Sequence, residues 1–173
     1  METRGLQAYL RQKADSMQRA AAERPNGRDW HEQIEAICVA DDATGVRKLR
    51  IRDWHFVSDS GPAFGGWSLG PSSPELLCGV VSTCLTHTYE IGAAMLGIPV
   101  DRIQVRVTAE NNDARFLSIP TDDPAVPFNI TAHATVEAPK ATAEQIEALH
   151  EYARQCPLTN LIRQPNTVTV IPG

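Results

Sequence analysis

The sequence predicts an α+β fold, and three observations carry that reading. Residues 73–96 form one long stretch, apolar around its whole circumference, as a buried helix requires. Segments alternating apolar and polar residues with the period of a half-buried strand flank it on both sides. The order of elements is hairpin, long helix, strand pair, helix and terminal strand, with no internal repeat and no low-complexity segment.

Each element has a local cause. Leu6, Leu10, Ala14, Met17 and Ala21 recur every three or four positions, which predicts a helix over residues 4–24 that Pro25 and Gly27 stop. Its stripe is weakly apolar, so this helix is expected to dock on a partner surface, a second subunit being one candidate. Residues 33–40 and 46–57 are rich in Ile, Val, Leu and aromatics and are separated by a turn-forming run, Asp41-Asp42-Ala43-Thr44-Gly45. This is a predicted hairpin. The loop SDSGPAFGGWSLGPSS is too rich in glycine and proline to be regular, and Gly65-Gly66 lacks the strand and lysine context of a phosphate cradle.

The central helix opens on a capping box made by Ser72 and Glu75, with Pro74 in the first turn, and ends before Gly97 and Pro99. Residues 103–109 and 128–137 alternate as strands. Thr142 and Gln145 form a second capping box, opening a helix that runs to Cys156-Pro157. A helical turn over 158–163 and a strand over 167–171 complete the prediction.

Composition narrows the function. At 173 residues the chain suits one domain with an added arm. A net charge of -5 and the absence of a basic cluster interleaved with aromatics argue against a nucleic-acid or anionic-membrane surface. The N-terminal residues are charged every few positions, unlike a secretory signal or membrane anchor. A reducing, cytoplasmic location is therefore expected, where four cysteines without a CxxC pair are either packing residues or redox reagents.

Cys84 sits within the central helix. Burial there raises a thiol above its ordinary pKa of about 8.5, so a reactive Cys84 needs a cation from elsewhere in the fold; without one it is inert filler. Cys156 precedes Pro157 and is a candidate N-cap, where helix N–H groups suit a reactive sulfur; a small residue at a tight helix junction is the alternative. Cys78 points to a face about 120° from Cys84, and Cys38 alternates within a strand; both are expected to pack. His87 shares a face with Cys84 and is expected as a satisfied core histidine, in competition with general base or metal ligand. No metal is expected, since no second closely spaced ligand pair accompanies it. In the second hairpin strand Arg47 shares its parity with Leu49 and Ile51, so it begins on the apolar side and needs an anionic partner; Glu75 is the nearest suitable carboxylate by motif.

Taken together, GPSSPELLCGVVSTCL and the later CPLTNLI resemble the OsmC/Ohr family, named for an osmotically inducible protein and for organic hydroperoxide resistance. Also in register are a GG-x3-GPSSPELL lead into the helix, Gly97-Ile98, a V-x-V strand and A-x-x-CP. The match covers residues 33–171 and leaves the N-terminal helix outside it. The resemblance implies an intertwined homodimer, with antiparallel sheets wrapped around two long central helices. It implies a peroxidatic role for Cys84, a resolving role for Cys156, and Arg47 with Glu75 as the pair that stabilises the thiolate. An external dithiol, often lipoyl-linked, restores both cysteines, and no bound cofactor takes part. In the peroxidase branch the glutamate lies one residue farther from the cysteine, where this chain has Pro74. The run CLTHTYEIGAAMLGIP is closer to a less characterised branch.

The expected organisation is an arm over residues 1–30 and an OsmC-like domain over 31–173. The expected function is reduction of organic hydroperoxides in oxidative stress defence. The alternatives are a non-catalytic OsmC-fold binding or stress-response protein and, from a third class, a zinc-dependent or Cys–His hydrolase.

Overall fold

A computed structural model describes residues 5–164 and 166–171. Its elements in chain order are α1 (Leu6–Glu23), β1 (Ile37–Val39), β2 (Arg47–Ile51), β3 (Trp54–Ser58), α2 (Ser73–Met95), β4 (Arg102–Glu110), β5 (Phe128–Glu137), α3 (Ala143–Ala153) and α4 (Pro157–Arg163). The mixed α+β architecture with antiparallel sheets is the one the sequence predicts. The chain divides into two units, described in turn: a helical unit drawn from residues 1–23, 80–109 and 129–173, and a hairpin unit of Arg24–Gly79 and Glu110–Phe128.

The helical unit is built around the part of α2 that follows Gly79. Tyr89, Ala93 and Ala94 of α2 are buried with Leu149 and Ala153 of α3, while Ile103 and Val105 of β4 and Ala134 and Val136 of β5 pack on this cluster. α2 and α3 approach closely at Gly92, where a Cβ would lie 2.8 Å from Tyr152 Cδ1 and 2.9 Å from Leu149 Cδ1. The Tyr89 hydroxyl, buried at the same junction, is satisfied by His150 Nδ1 at 2.8 Å. α2 ends as predicted. Gly97 takes a positive φ of 65°, and the Ile98 N–H reaches back to the Ala93 carbonyl at 2.9 Å, closing a Schellman turn. The capping box of Thr142 and Gln145 opens α3.

α1 docks within its own chain. Leu10 is buried in the same cluster, Leu6 and Ala14 pack against it, and Lys13 pairs with Glu90 of α2 at 3.6 Å. The weakly apolar stripe is enough because α2 and its neighbours supply the rest of the apolar surface.

In the hairpin unit the predicted strand 46–57 is two strands. β2 and β3 are joined by a two-residue turn at Arg52-Asp53, with Arg52 at φ 52°. Leu49 lies between Cys38 and Phe56, and Arg47 lies opposite Ser58, so Arg47, Leu49 and Ile51 share one face as their alternation predicts. After β3, the buried Asp59 carboxylate accepts the N–H groups of Ser60 (2.7 Å), Trp67 (2.9 Å) and Leu69 (3.1 Å), and so folds the breaker-rich loop back on itself. Gly66 is required there, since a Cβ would fall 2.0 Å from the Ser60 carbonyl oxygen.

Two expectations fail in a single chain. α2 is apolar all round but buries one side only; Val80 and Met95, with Leu96 just beyond, stay exposed, because no element among the described residues covers them. Residues 167–171 form no strand, and Val168 is 86% exposed. Strand propensity alone cannot order a segment without an edge to pair with.

Candidate functional site

The site is the meeting of α2 with the junction between α3 and α4. Cys84 lies mid-helix on α2, partly exposed, and its carbonyl oxygen accepts the Thr88 hydroxyl at 2.9 Å. Cys156 is the N-cap of α4, because Pro157 ends the preceding helical path and supplies a first residue that needs no N–H partner. Its carbonyl oxygen accepts the Asn160 N–H at 3.1 Å and the Thr159 hydroxyl at 3.0 Å. Cys156 is 0% exposed. The Cys84 and Cys156 sulfurs lie 3.4 Å apart, both thiols being free.

The two thiols have opposite electrostatics. Burial, the largest influence, pushes the Cys84 thiol up, and the adjacent Cys156 sulfur adds to that, while the Leu158 N–H and Thr88 pull the other way. For Cys156, burial also opposes ionisation, but the Thr159 N–H, the Cys84 thiol, the Thr159 hydroxyl and the Leu158 N–H together outweigh it and hold this thiol below its ordinary value.

Arg47 and Glu75 are each engaged, though with different partners from those expected. Arg47 is half-buried; Nε and Nη2 donate to Ser58 Oγ at 3.3 and 3.1 Å, and Nη1 donates to Ser60 Oγ at 3.2 Å. The carboxylate whose charge it meets is Asp59. The N–H groups of Leu69 and Ser60 lead in holding Asp59 below the usual carboxylate range, against burial, with the Trp67 N–H and Arg47 adding to the effect. Glu75 is spent on the capping box: one carboxylate oxygen accepts both the Ser72 N–H and the Ser72 hydroxyl at 2.7 Å. These bonds lower its pKa, and its expected pairing with Arg47 is not made. With Pro74 in the earlier position, the glutamate falls where the cap claims it.

The remaining candidates stand apart. His87 is exposed rather than a satisfied core histidine, since its side of α2 is uncovered. Cys78 is partly buried on α2, and Cys38 is exposed on the strand face it shares with Leu49, where packing was expected. Among the described residues no three His, Cys, Asp or Glu side chains gather so as to hold a metal ion. Sequence reasoning passed over Asp59, Ser58 and Ser60 around Arg47, and Thr88 and Thr159 around the cysteines. Two signals were present: a polar S-D-S run ending a strand, and a threonine four residues after Cys84 and three after Cys156.

Comparison with known proteins shows what the chain is similar to. The profile of the OsmC-like protein family matches residues 65–171, which contain both cysteines. No curated protein matches the sequence significantly. Among solved structures, an OsmC-like protein from Mycoplasma pneumoniae is similar over 76% of this chain and 88% of its own, with a TM-score of 0.62 and 17% identity. The organic hydroperoxide resistance protein OsmC from Legionella pneumophila is similar over 76% of this chain and 90% of its own, with a TM-score of 0.55 and 15% identity.

Proposed function

The chain belongs to the OsmC-like protein family, and on that footing we propose that it is a thiol-dependent peroxidase that reduces organic hydroperoxides in oxidative stress defence. The observation that carries this reading is the 3.4 Å separation of the Cys84 and Cys156 sulfurs across two helices. A disulfide closes from there with a small movement of the α3–α4 junction. The similarity to a Legionella protein described as an organic hydroperoxide resistance protein supports the same chemistry.

Cys84 is the sulfur that substrate can reach, so it attacks the O–O bond; Cys156 then resolves the sulfenic acid as a disulfide. An external dithiol, of lipoyl type, restores both thiols, and no metal or bound cofactor is needed because sulfur carries the two electrons. We assign to Arg47 the cation that favours Cys84 as thiolate, and to Glu75 the fixing of the helix start that sets where Cys84 lies. Arg47→Met should raise the midpoint of the pH–rate profile for Cys84 oxidation and lower the rate at neutral pH by about 10- to 100-fold. An unchanged profile removes Arg47 from the mechanism.

The working form proposed is a cytoplasmic homodimer. The exposed apolar side of α2 and the exposed Trp54 and Phe56 of the hairpin face are surfaces that a second copy would cover. A native mass equal to a single chain, by light scattering, contradicts this. Among the described residues no helix is long and apolar enough to cross a membrane.

Two observations favour the second reading, a binding or stress-response protein without turnover: the Cys84 thiol is held up by burial, and Glu75 is not free to pair with Arg47. The deciding assay is consumption of cumene hydroperoxide by the wild-type protein with a dithiol. The peroxidase reading expects sustained turnover. No consumption above a protein-free control selects the binding protein.

A further inference from the structure

We propose that Ser58 and Ser60 are positioning residues for the peroxidatic step: they hold the Arg47 guanidinium with neutral oxygens, so that its charge stays available to the Cys84 thiolate. This rests on the peroxidase reading above and on the role given there to Arg47. Three features point to it. Ser58 lies directly opposite Arg47 across the β2–β3 ladder, so its hydroxyl and the guanidinium meet on one sheet face. Ser58 is 3% exposed and its Oγ accepts from both Nε and Nη2, while Ser60 Oγ accepts from Nη1. Among the described residues Arg47 takes part in no ion pair. The carboxylate between the two serines, Asp59, is turned to the loop, where its oxygens accept the Ser60, Trp67 and Leu69 N–H groups. Asp59 thereby fixes the path on which Ser58 and Ser60 lie, and meets Arg47 by charge without a bond.

The neighbouring cation is treated differently. Lys48 follows Arg47 in β2 and so takes the opposite face. It pairs with Asp41 at 2.7 Å and Asp42 at 3.1 Å, although its side chain is 53% exposed and needs such partners less. Arg47 is half-buried, where the need for a counter-charge is greater, yet the groups bonded to it are hydroxyls. Hydroxyl oxygens meet the hydrogen-bonding demand of an enclosed guanidinium without cancelling its charge. A bonded carboxylate would do both, and the cation would then offer an approaching thiolate little net attraction. The three bonds use three of the five N–H groups of the guanidinium and run to two separate oxygens, which fixes its plane and leaves two N–H groups for an anion. The serines act through Arg47 and contribute no atom to the reaction.

The test reads the Cys84 thiolate without peroxide, by alkylation with iodoacetamide across pH, located by peptide mass. Arg47→Met sets the scale of what the guanidinium contributes. Removing both hydroxyls, Ser58→Ala with Ser60→Ala, should raise the midpoint by about half a unit or more toward that of Arg47→Met. Oxidation of Cys84 by cumene hydroperoxide at neutral pH should slow about threefold or more. Ser60→Thr, which keeps the hydroxyl, should stay at the wild-type midpoint where Ser60→Ala does not. Ser60→Asp tests neutrality: its carboxylate should pair with Arg47 and raise the midpoint by about one unit, and should add nothing when combined with Arg47→Met. A midpoint unchanged or lowered in the double-alanine protein overturns the proposal, as does a Ser60→Asp shift that persists without Arg47. An Arg47→Met protein with the wild-type midpoint also overturns it, and wild-type turnover would then leave the peroxidase reading standing. If wild type consumes no hydroperoxide yet the midpoints move as expected, the peroxidase reading fails while the serine clamp stands. Should the double-alanine protein lose its far-ultraviolet dichroism, Ser60→Ala alone is read in its place, with the same direction expected.

Discussion

Cys84→Ser should abolish dithiol-dependent consumption of cumene hydroperoxide, lowering turnover by at least about a thousandfold. The size follows from what serine lacks. Its hydroxyl does not ionise near neutral pH, so Arg47 cannot turn it into a nucleophile toward peroxide oxygen. Serine nevertheless keeps the space and the hydrogen-bonding capacity of the thiol, so the packing of α2 against α3 should be undisturbed and the loss should be chemical. Cys156→Ser provides the internal contrast: it retains the attacking sulfur, so it should turn over once and then accumulate sulfenic acid instead of disulfide. A Cys84→Ser protein that still consumes hydroperoxide with dithiol would remove the catalytic account.

The second large effect concerns stability. Leu149→Ala should destabilise the protein by about 2–5 kcal/mol, read as a lower urea midpoint with an unchanged slope at fixed protein concentration. Leu149 is 0% exposed at the centre of the helical unit's cluster, and its Cδ1 lies where the bare backbone of Gly92 lets α3 approach α2. Truncation opens a cavity that the surrounding helices cannot close, since that contact is already between backbone and side chain. The effect should reach the chemistry as well. Cys156 follows directly on α3, with its N–H bonded to the Ala153 carbonyl at 3.1 Å, so loosening α3 loosens the sulfur that must meet Cys84. A loss below about 1 kcal/mol would mean that α2 and α3 are not packed through Leu149.

What the sequence disclosed divides by range. Features set within a few residues were legible: the boxes at Ser72 and Glu75 and at Thr142 and Gln145, the stop at Gly97, and Cys156 at the head of a helix. The turn that splits residues 46–57 was hidden, because Arg52 takes a left-handed conformation where glycine or asparagine would have announced it. Residues 167–171 carry a strand pattern with no edge to complete it. The all-round apolar surface of α2 predicts a buried helix, yet among the described residues only one side of it is covered, because periodicity says which surface is apolar and not what lies against it. Periodicity alone could not bring Cys84 and Cys156 together across two helices; only the family resemblance linked them. The alternation of β2 gave Arg47 its face, but its partners come from a loop that doubles back through Asp59, and loop paths are not written in alternation.

The central claim is that Cys84 and Cys156 form one redox couple, and peptide mapping tests it most directly. The reduced protein is treated with one equivalent of cumene hydroperoxide, quenched by alkylation and digested without reductant. The account predicts one new cross-linked peptide joining Cys84 to Cys156, with Cys38 and Cys78 recovered as alkylated thiols. Recovery of Cys84 and Cys156 both alkylated after hydroperoxide treatment, or a disulfide joining Cys84 to Cys38 or Cys78 instead, would contradict it.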